Sequence, residues 1–452
     1  RPSDRDEAAV SMRGARVAVV GGGLAGISAA VEAAARGARV TLLERRPFLG
    51  GKAFSFTDPR TGEEIDNGQH VHLGCCTAYT ALLGRIGSLG LTAMQPMLRV
   101  DVRDRAGTHG VLAARRLPAP LHMGPSFAAY GLLTRGERAR ALRALGTIAA
   151  LGPAGRDRLD DVSFGEWLRA HGQGDAAIER FWDLVILPTC NDRSDRTSAA
   201  LAMFVITEGL MRTPRGAAIG WSLVGLSRLV DGPARRHLQR AGGTVRTGRG
   251  AAAADATGVT LDGGERVAAD AVVLALPPAR ARSVCPAALP RDPGLGESPI
   301  VNVHLWFDRP VLEVPVLAVV DSPVQWMFDR TGITGRGVPG QHMDLSISAA
   351  HDEMPVPRAE LAASMDTEVR ALLPAARDAR LDAWAVTKDP RATFAPAPGQ
   401  ASRRPGARTP VPGIALAGTW TATGWPATME GAVRSGIAAV RELATQMGSP
   451  GA

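Results

Sequence analysis

The stretch from Arg16 to Glu44 constrains this chain more than any other. A short apolar strand, Val17 to Val20, runs into Gly21-Gly22-Gly23, a helix of small residues follows, and a second apolar strand ends on Glu44. Gly21, Gly23 and Gly26 stand in the G-x-G-x-x-G spacing. In a strand–helix–strand unit the first glycine permits the tight turn, the second lets backbone approach a pyrophosphate, and the third lets helix pack closely on strand. Leu24 and Ala25 open the helix, whose free N–H groups and partial positive charge favour phosphate. Glu44 is placed to accept hydrogen bonds from a ribose 2′-OH. A glycine run alone is also an ordinary tight turn; strand, helix, strand and acid together predict a dinucleotide site.

Composition narrows the rest. At 452 residues the chain exceeds what one simple core serves, and two intertwined domains are expected. The formal charge of +8 is carried almost wholly by arginine, Lys52 and Lys388 being the only lysines, and reads as compositional bias. No basic block carries interleaved aromatics, so nucleic acid is not an expected partner. Attraction to an anionic membrane surface is a weaker alternative. Cys75, Cys76, Cys190 and Cys285 show neither C-x-x-C nor metal spacing, which fits a reduced, cytoplasmic compartment. Arg1 to Ala15 carries no signal-peptide apolar core, and no run of about 18 apolar residues predicts a membrane span. The sequence does not fix an oligomeric state.

Residues 1–14 read as a disordered lead-in. Beyond Glu44, Gly50-Gly51-Lys52 suggests a second backbone approach to the same cofactor, with Lys52 as a cation for the pyrophosphate; a plain Gly-Gly turn is the alternative. Asp58 to Gly62 predicts a hairpin turn. From Cys75 to Val224 the pattern is mostly helical, with capping boxes at Thr134/Glu137 and Ser163/Glu166. The first opens a helix to about Leu151 carrying Arg135, Arg138, Arg140 and Arg143, either a membrane face or a solvated basic side. Around Leu226 the α/β signal returns: a helix over Leu229–Ala241, short strands near Val245 and 259–261, and a buried strand within Asp270–Leu276. Alternation over Ile300–Phe307, Val324–Phe328 and Met343–Ile347 predicts an antiparallel sheet. A helix over Glu360–Leu373, a strand at Ile414–Ala417 and a last helix from about Met429 to Thr445 follow. The expected organisation is α/β: a Rossmann-like cofactor domain from residues 14–74, 225–285 and 408–448. It is interrupted by a helical insertion facing substrate or membrane, 75–224, and by a substrate-domain sheet, antiparallel or mixed, 286–407.

Four motifs in order carry a resemblance. They are the fingerprint; Glu44-x-Arg46-x-x-x-Gly50-Gly51-Lys52-x-x-Ser55; Ala269-Asp270 to Leu276-Pro277; and Ala417-Gly418-Thr419-Trp420 with Met429-Glu430-Gly431-Ala432-Val433-x-Ser435-Gly436. Together they resemble the flavin amine-oxidase and carotenoid-desaturase superfamily over nearly the whole chain. The resemblance implies FAD rather than NAD. Within the superfamily the chain is most similar to the hydroxysqualene dehydroxylase family of bacterial hopanoid pathways. That likeness lies in Ile65-Asp66-Asn67-Gly68-Gln69-His70-Val71, Ser298 to Phe307, Val324 to Arg330, Ala392-Thr393-Phe394 and Thr423 to Gly431. It implies reductive loss of the hydroxyl of hydroxysqualene to give squalene. The family often has aspartate where this chain has Thr419, whose hydroxyl still suits the ribityl chain.

The FAD residues expected are Gly21, Gly23, Leu24, Ala25, Gly26, Glu44, Arg46, Gly51, Lys52, Gly68, Gln69, His70, Val245, Gly418, Thr419, Ala427, Thr428 and Met429. Binding is expected to be non-covalent, since no cysteine follows Cys285. An apolar isoprenoid calls for an apolar tunnel, for which Phe204, Trp306, Trp326, Met327 and Phe328 are lining candidates or simply core. Candidates for the acid that protonates the departing hydroxyl are His70 first, then Asp66, Glu430 and His304. Set against these roles, His70 is a structural histidine, Asp66 a turn or cap residue, and Glu430 an organiser of the flavin pyrimidine end. Water delivering the proton removes the need for any of them. Asp329 and Arg330 are expected to be solvated loop charges. A carotenoid desaturase or other isoprenoid or amine oxidase of the superfamily is the enzymatic alternative. A non-catalytic prenyl-protein escort is the other. An amine oxidase would gather aromatics at the flavin, yet Thr428 precedes Met429 and the only tyrosines are Tyr79 and Tyr130.

Overall fold

The computed structural model describes residues 10–335 and 339–448. Residues 1–9 of the expected lead-in lie outside the described residues; Met12 is already buried, its N–H donating to the Arg36 carbonyl. A five-stranded parallel sheet runs in the order Thr244–Thr247, Arg39–Glu44, Arg16–Val20, Ala271–Leu274, Ile414–Leu416. The chain enters it three times. Buried on both faces, the strands Arg16–Val20, Ala271–Leu274 and Ile414–Leu416 read as continuous apolar runs. Val17, Val19, Val40, Leu42 and Val273 pack toward the helices, while Ala18, Val20, Leu43, Val272 and Leu274 pack under a small antiparallel meander, residues 251–268.

The fingerprint helix, Leu24–Ala35, and the last helix, Met429–Gly448, cross on one face of this sheet. Their backbones meet at Gly436, where a Cβ would lie 2.8 Å from the Ala29 nitrogen and 2.9 Å from the Ser28 Cβ. The Ser28 hydroxyl donates to the Val433 carbonyl at 2.8 Å, fixing the crossing.

The second layer is a seven-stranded sheet in the order Leu381–Phe394, Glu297–Phe307, Gln341–Ser348, Trp326–Asp329, Val316–Val320, Arg99–Asp104, His109–Ala113. It is antiparallel except where Val316–Val320 runs parallel to Arg99–Asp104. Two of these strands come from the stretch expected to be mostly helical. Arg99-Val-Asp-Val-Arg-Asp alternates with period two and turns at Gly107, a hairpin pattern that the surrounding helices mask. The 14-residue strand Leu381–Phe394 was also not expected. As an edge strand it carries charged residues, and Pro390 sits where the register shifts, which conceals the pattern. One face of the sheet, Val301, Val303, Leu305, Met343, Leu345, Ile347 and Met327, is covered by the helix Arg358–Leu372. Met327 is therefore core, not tunnel lining.

Both capping boxes are present. The helix from Arg135 runs to Asp157 but breaks at Gly152 (φ 62°), just before Pro153. It buries Ala141, Ala144 and Ile148 and leaves Arg135, Arg140, Arg143 and Leu142 exposed. Among the described residues no helix is long and apolar enough to cross a membrane. Gly436→Val is expected to destabilise the protein by at least ~1–3 kcal/mol through overpacking and to lower FAD content; thermal denaturation and flavin absorbance of the purified variant check both.

Candidate functional site: a glycine cradle facing a polar sheet face

The site grows from close backbone packing. Gly21 holds φ 105°, and a side chain there would run into the Ala275 carbonyl; one at Gly26 would run into the carbonyl of Gly21. Gly23 differs: a Cβ there would meet only the Gly51 Cα, at 3.8 Å. The second glycine pair lies on the first, with the Gly50 N–H donating to the Gly22 carbonyl at 2.8 Å. Because Gly23 is the helix cap, no cap side chain occupies the first N–H groups, those of Leu24 and Ala25. An open cradle of N–H donors beside two glycines fits the diphosphate of FAD.

Glu44 accepts from the Gly22 N–H at 2.6 Å and from the Arg46 N–H at 2.8 Å, which fixes the carboxylate at the strand end. Arg46 donates to the Gly51 carbonyl at 3.0 Å and lies over Phe48 and Phe54. Val245 pairs with Leu42 on the neighbouring strand. The structure thus brings Gly21, Gly23, Leu24, Ala25, Gly26, Glu44, Arg46 and Gly51 together, with Val245 beside them. Lys52 departs from expectation: its ammonium pairs with Asp389 at 2.9 Å and with the Arg391 carbonyl. It ties this loop to the edge of the seven-stranded sheet and is not free to act as a cation of the diphosphate cradle.

The chain's far end forms the other wall. The Gly418 N–H donates to the Ser435 hydroxyl at 2.8 Å, and the Trp420 indole donates to the Leu276 carbonyl at 2.9 Å. Thr419 offers its carbonyl to the buried Arg404 at 2.9 Å; burial lowers that guanidinium to about 10. Ala427, Thr428 and Met429 lead into the last helix, where the Thr428 hydroxyl accepts from the Gly431 N–H at 3.2 Å.

Two proposed acids are committed elsewhere. Glu430 is fully buried and accepts from the Ala78 and Tyr79 N–H groups at 3.0 and 2.7 Å and from Arg434 at 2.7 Å. It caps the helix Thr77–Ile86 and pins it to the last helix, with both oxygens bonded, a structural role and not a proton-transfer one. Asp66 accepts from the Ser55 hydroxyl at 2.7 Å and the Leu226 N–H at 3.0 Å, capping the helix Leu226–Arg240. Its other oxygen pairs with Arg330 at 3.3 Å, both side chains buried. Asp66 is thus a cap, as one of its two readings had it, and Arg330 is not a solvated loop charge.

His70 stays available. Its Nδ1 donates to the Gly68 carbonyl at 2.7 Å, and its Nε2 has no partner among the described residues. Gly68 packs against Asn302, whose Oδ1 a Cβ would approach to 2.6 Å, and the Thr387 hydroxyl donates to the Asn67 carbonyl at 3.0 Å. This loop therefore lies on the second face of the seven-stranded sheet. That face carries Asn302, His304 and Trp306 on one strand and His342, Asp344 and Ser346 on the next, with His304 opposite Asp344. Asn302 donates to Asp344 at 3.3 Å, His304 Nδ1 lies 3.1 Å from His342 Nε2, and Trp306 stacks on His342 at 4.3 Å. Burial lowers His304 to about 4 and raises the Asp344 carboxyl to about 7, with Arg330 opposing the rise. Beside the polar residues stand Trp326 and Phe328, which pack with Val71, Trp221 and Ile333, while Phe204 meets Trp425 edge-on at 5.1 Å. Asn302, Arg330, His342 and Asp344 were not weighed as site groups from sequence. For Asn302, His342 and Asp344 the signal is polar residues at every second position of two strands whose intervening residues are apolar; Arg330 opens a short helix and carries no such signal.

The family model of flavin containing amine oxidoreductases matches residues 24–444. A hydroxysqualene dehydroxylase of Sinorhizobium fredii is 30% identical, over 93% of this chain and 96% of its own. A zeta-carotene desaturase of Zea mays is 28% identical, over 93% of this chain and 82% of its own. Cyclohexylamine oxidase of Brevibacterium oxydans superposes with a TM-score of 0.68 over 96% of this chain and 100% of that one, at 21% identity, a likeness of fold alone.

Gly23→Trp is expected to abolish FAD retention; a variant still yellow after gel filtration refutes the cradle. Asp344 supplies a stability test. Its folded form holds the proton to about pH 7, whereas an unfolded carboxyl releases it near 4, so stability is full below the ordinary carboxylate range and is lost as pH rises toward 7. Relative to the parent protein, Asp344→Asn is expected to gain on the order of 1–3 kcal/mol between pH 4 and pH 8, measured by calorimetry at both.

Proposed function

The chain belongs to the flavin containing amine oxidoreductase family and is an FAD-dependent oxidoreductase, and we propose that it removes the hydroxyl of hydroxysqualene to give squalene. The observation that carries this reading is the composition of the sheet face beneath the Gly68–His70 loop. A polar patch of Asn302, His304 and Asp344 sits beside the apolar and aromatic surface of Trp326, Phe328, Val71 and Trp221. A long hydrocarbon bearing one oxygen matches a polar group beside an apolar and aromatic surface better than a pure hydrocarbon does. End-to-end similarity to a hydroxysqualene dehydroxylase supports the same choice.

When bound and reduced, FAD supplies hydride. The chain's own part is to hold the lipid, keep bulk water out and deliver a proton to the leaving oxygen. His70 is suited to the last task. The Gly68 carbonyl fixes its ring through Nδ1, which leaves Nε2 to carry the transferable proton in the imidazolium form. The exposed Arg135, Arg140 and Arg143 around Leu142 offer a surface for anionic lipid, from which so apolar a substrate would be drawn on the cytoplasmic side. A carotenoid-type desaturation is the second reading, favoured by the similarity to zeta-carotene desaturase.

Anaerobic incubation of the purified protein with hydroxysqualene and dithionite is expected to yield squalene, detected by gas chromatography. No squalene, together with dehydrogenation of phytoene, overturns the proposal in favour of the second reading. His70→Ala is expected to slow turnover by ~100-fold with flavin still bound; an unchanged rate reduces His70 to a structural residue.

A further inference from the structure

We propose that the loop Arg115–His122 docks this protein on an anionic lipid bilayer, its two leucines entering the interface while the arginines beside them hold the headgroups. The inference gives the proposed function its place of work. It rests on that reading for an apolar substrate, and not on which isoprenoid is turned over.

The argument begins with where the charge lies. From Arg105 to Arg156 the chain carries eight arginines and one acidic residue, Glu137, against a formal charge of +8 for the whole chain. This one stretch therefore holds nearly all the excess positive charge, and the rest of the chain is close to neutral. Several exposed arginines elsewhere are neutralised, Arg16 by Asp270, Arg309 by Asp308 and Arg380 by Asp382. Arg115, Arg116, Arg135 and Arg143 are exposed and have no carboxylate partner among the described residues.

The loop is a closed projection. The Arg115 N–H donates to the His122 carbonyl at 2.8 Å, and His122 is buried at its foot, facing the Leu210 carbonyl. Arg115, Arg116, Leu117, Pro118, Pro120 and Leu121 stand exposed above it. Pro118 and Pro120 restrict the backbone, so the tip loses little freedom when it is immersed. Leu121 is 65% exposed and Leu142, on the helix Arg135–Asp157, is 51% exposed; no other large apolar side chain among the described residues is as open to water. Apolar area of this kind gains free energy on entering the acyl boundary. The foot of the loop and that helix both lean on the turn Ile206–Met211, so the two basic elements are neighbours around it.

Composition chooses the occupant. Arginines with leucines suit phosphate headgroups and acyl chains. Nucleic acid would call for exposed aromatics, and the stretch's two, Phe127 and Tyr130, are buried. The same stretch also leads inward: Arg156, at its end, lies over Phe204, which meets Trp425 close to Ala427 and Thr428 of the flavin wall.

Co-sedimentation of the FAD-loaded protein with vesicles tests this. The protein is expected to sediment with vesicles of phosphatidylcholine and phosphatidylglycerol in equal parts, to stay in solution with phosphatidylcholine alone, and to be released by added salt. Arg115→Gln with Arg116→Gln is expected to weaken binding to the anionic vesicles about 30-fold. Leu117→Ser with Leu121→Ser is expected to weaken it about tenfold, and both variants are expected to keep the parent's flavin absorbance and thermal stability. Equal binding to the two kinds of vesicle, binding to neither, or parent-like binding by either variant overturns the proposal. A dimer that ignores vesicles and that the leucine variant dissociates in sedimentation velocity overturns it in favour of a second copy of the chain. If the leucine variant fails to fold, the arginine variant decides, since both of its replaced side chains are exposed. Sedimentation does not involve turnover. A protein that binds anionic vesicles and makes no squalene refutes the dehydroxylation reading alone, and one that makes squalene in detergent and ignores vesicles refutes the docking alone.

Discussion

Backbone packed against backbone around the fingerprint helix is the contact on which the rest of the structure depends. Gly26 rests on the carbonyl of Gly21, Gly51 on the Cα of Gly23, and Gly436 on the turn that holds Ser28 and Ala29. These approaches join segments from three distant parts of the chain with no side chain between them. The helix end they frame keeps its first N–H groups clear, because the cap is a glycine. A diphosphate cradle is what remains when packing has removed every side chain that could have filled the space.

The same economy of position governs the acids. Two carboxylates that a list of titratable residues would nominate for chemistry, Asp66 and Glu430, each accept from the first N–H groups of a helix and pair with an arginine. Helix N-termini draw negative charge, so both carboxylates are taken up in capping. Asp344 is the opposite case: one amide contact, one unpaired oxygen and no dedicated cation. Environment, not residue type, separates the structural acids from the one that can hold a proton near neutrality.

How much of this was legible follows the range of the interactions. The cradle is local: Gly21, Gly23, Gly26 and Glu44 lie within one strand–helix–strand unit, and their spacing specifies their geometry. The last helix was legible too, through its apolar pattern. Lys52 was misplaced because nothing near it in sequence reveals Asp389, which reaches it from an edge strand 337 residues away. That strand, Leu381–Phe394, escaped notice because edges are built polar. Arg330 looked like a loop charge because its partner, Asp66, lies 264 residues earlier.

The polar sheet face carries the argument one step further. On the strand Glu297–Phe307, odd positions supply the core under the helix Arg358–Leu372, while even positions supply Asn302, His304 and Trp306 to the site. A single-residue slip of this strand would put Asn302, His304 and Trp306 into the core and three apolar residues under the Gly68–His70 loop. Fold and chemistry are therefore locked to one register, set by apolar packing on the far side of the sheet. The cofactor wall could be shared by any member of the family, since it is made of backbone. The polar sheet face is made of side chains held in register by a core on the opposite side of the sheet, and on the proposed function that face is where a chain of this family acquires its own reaction.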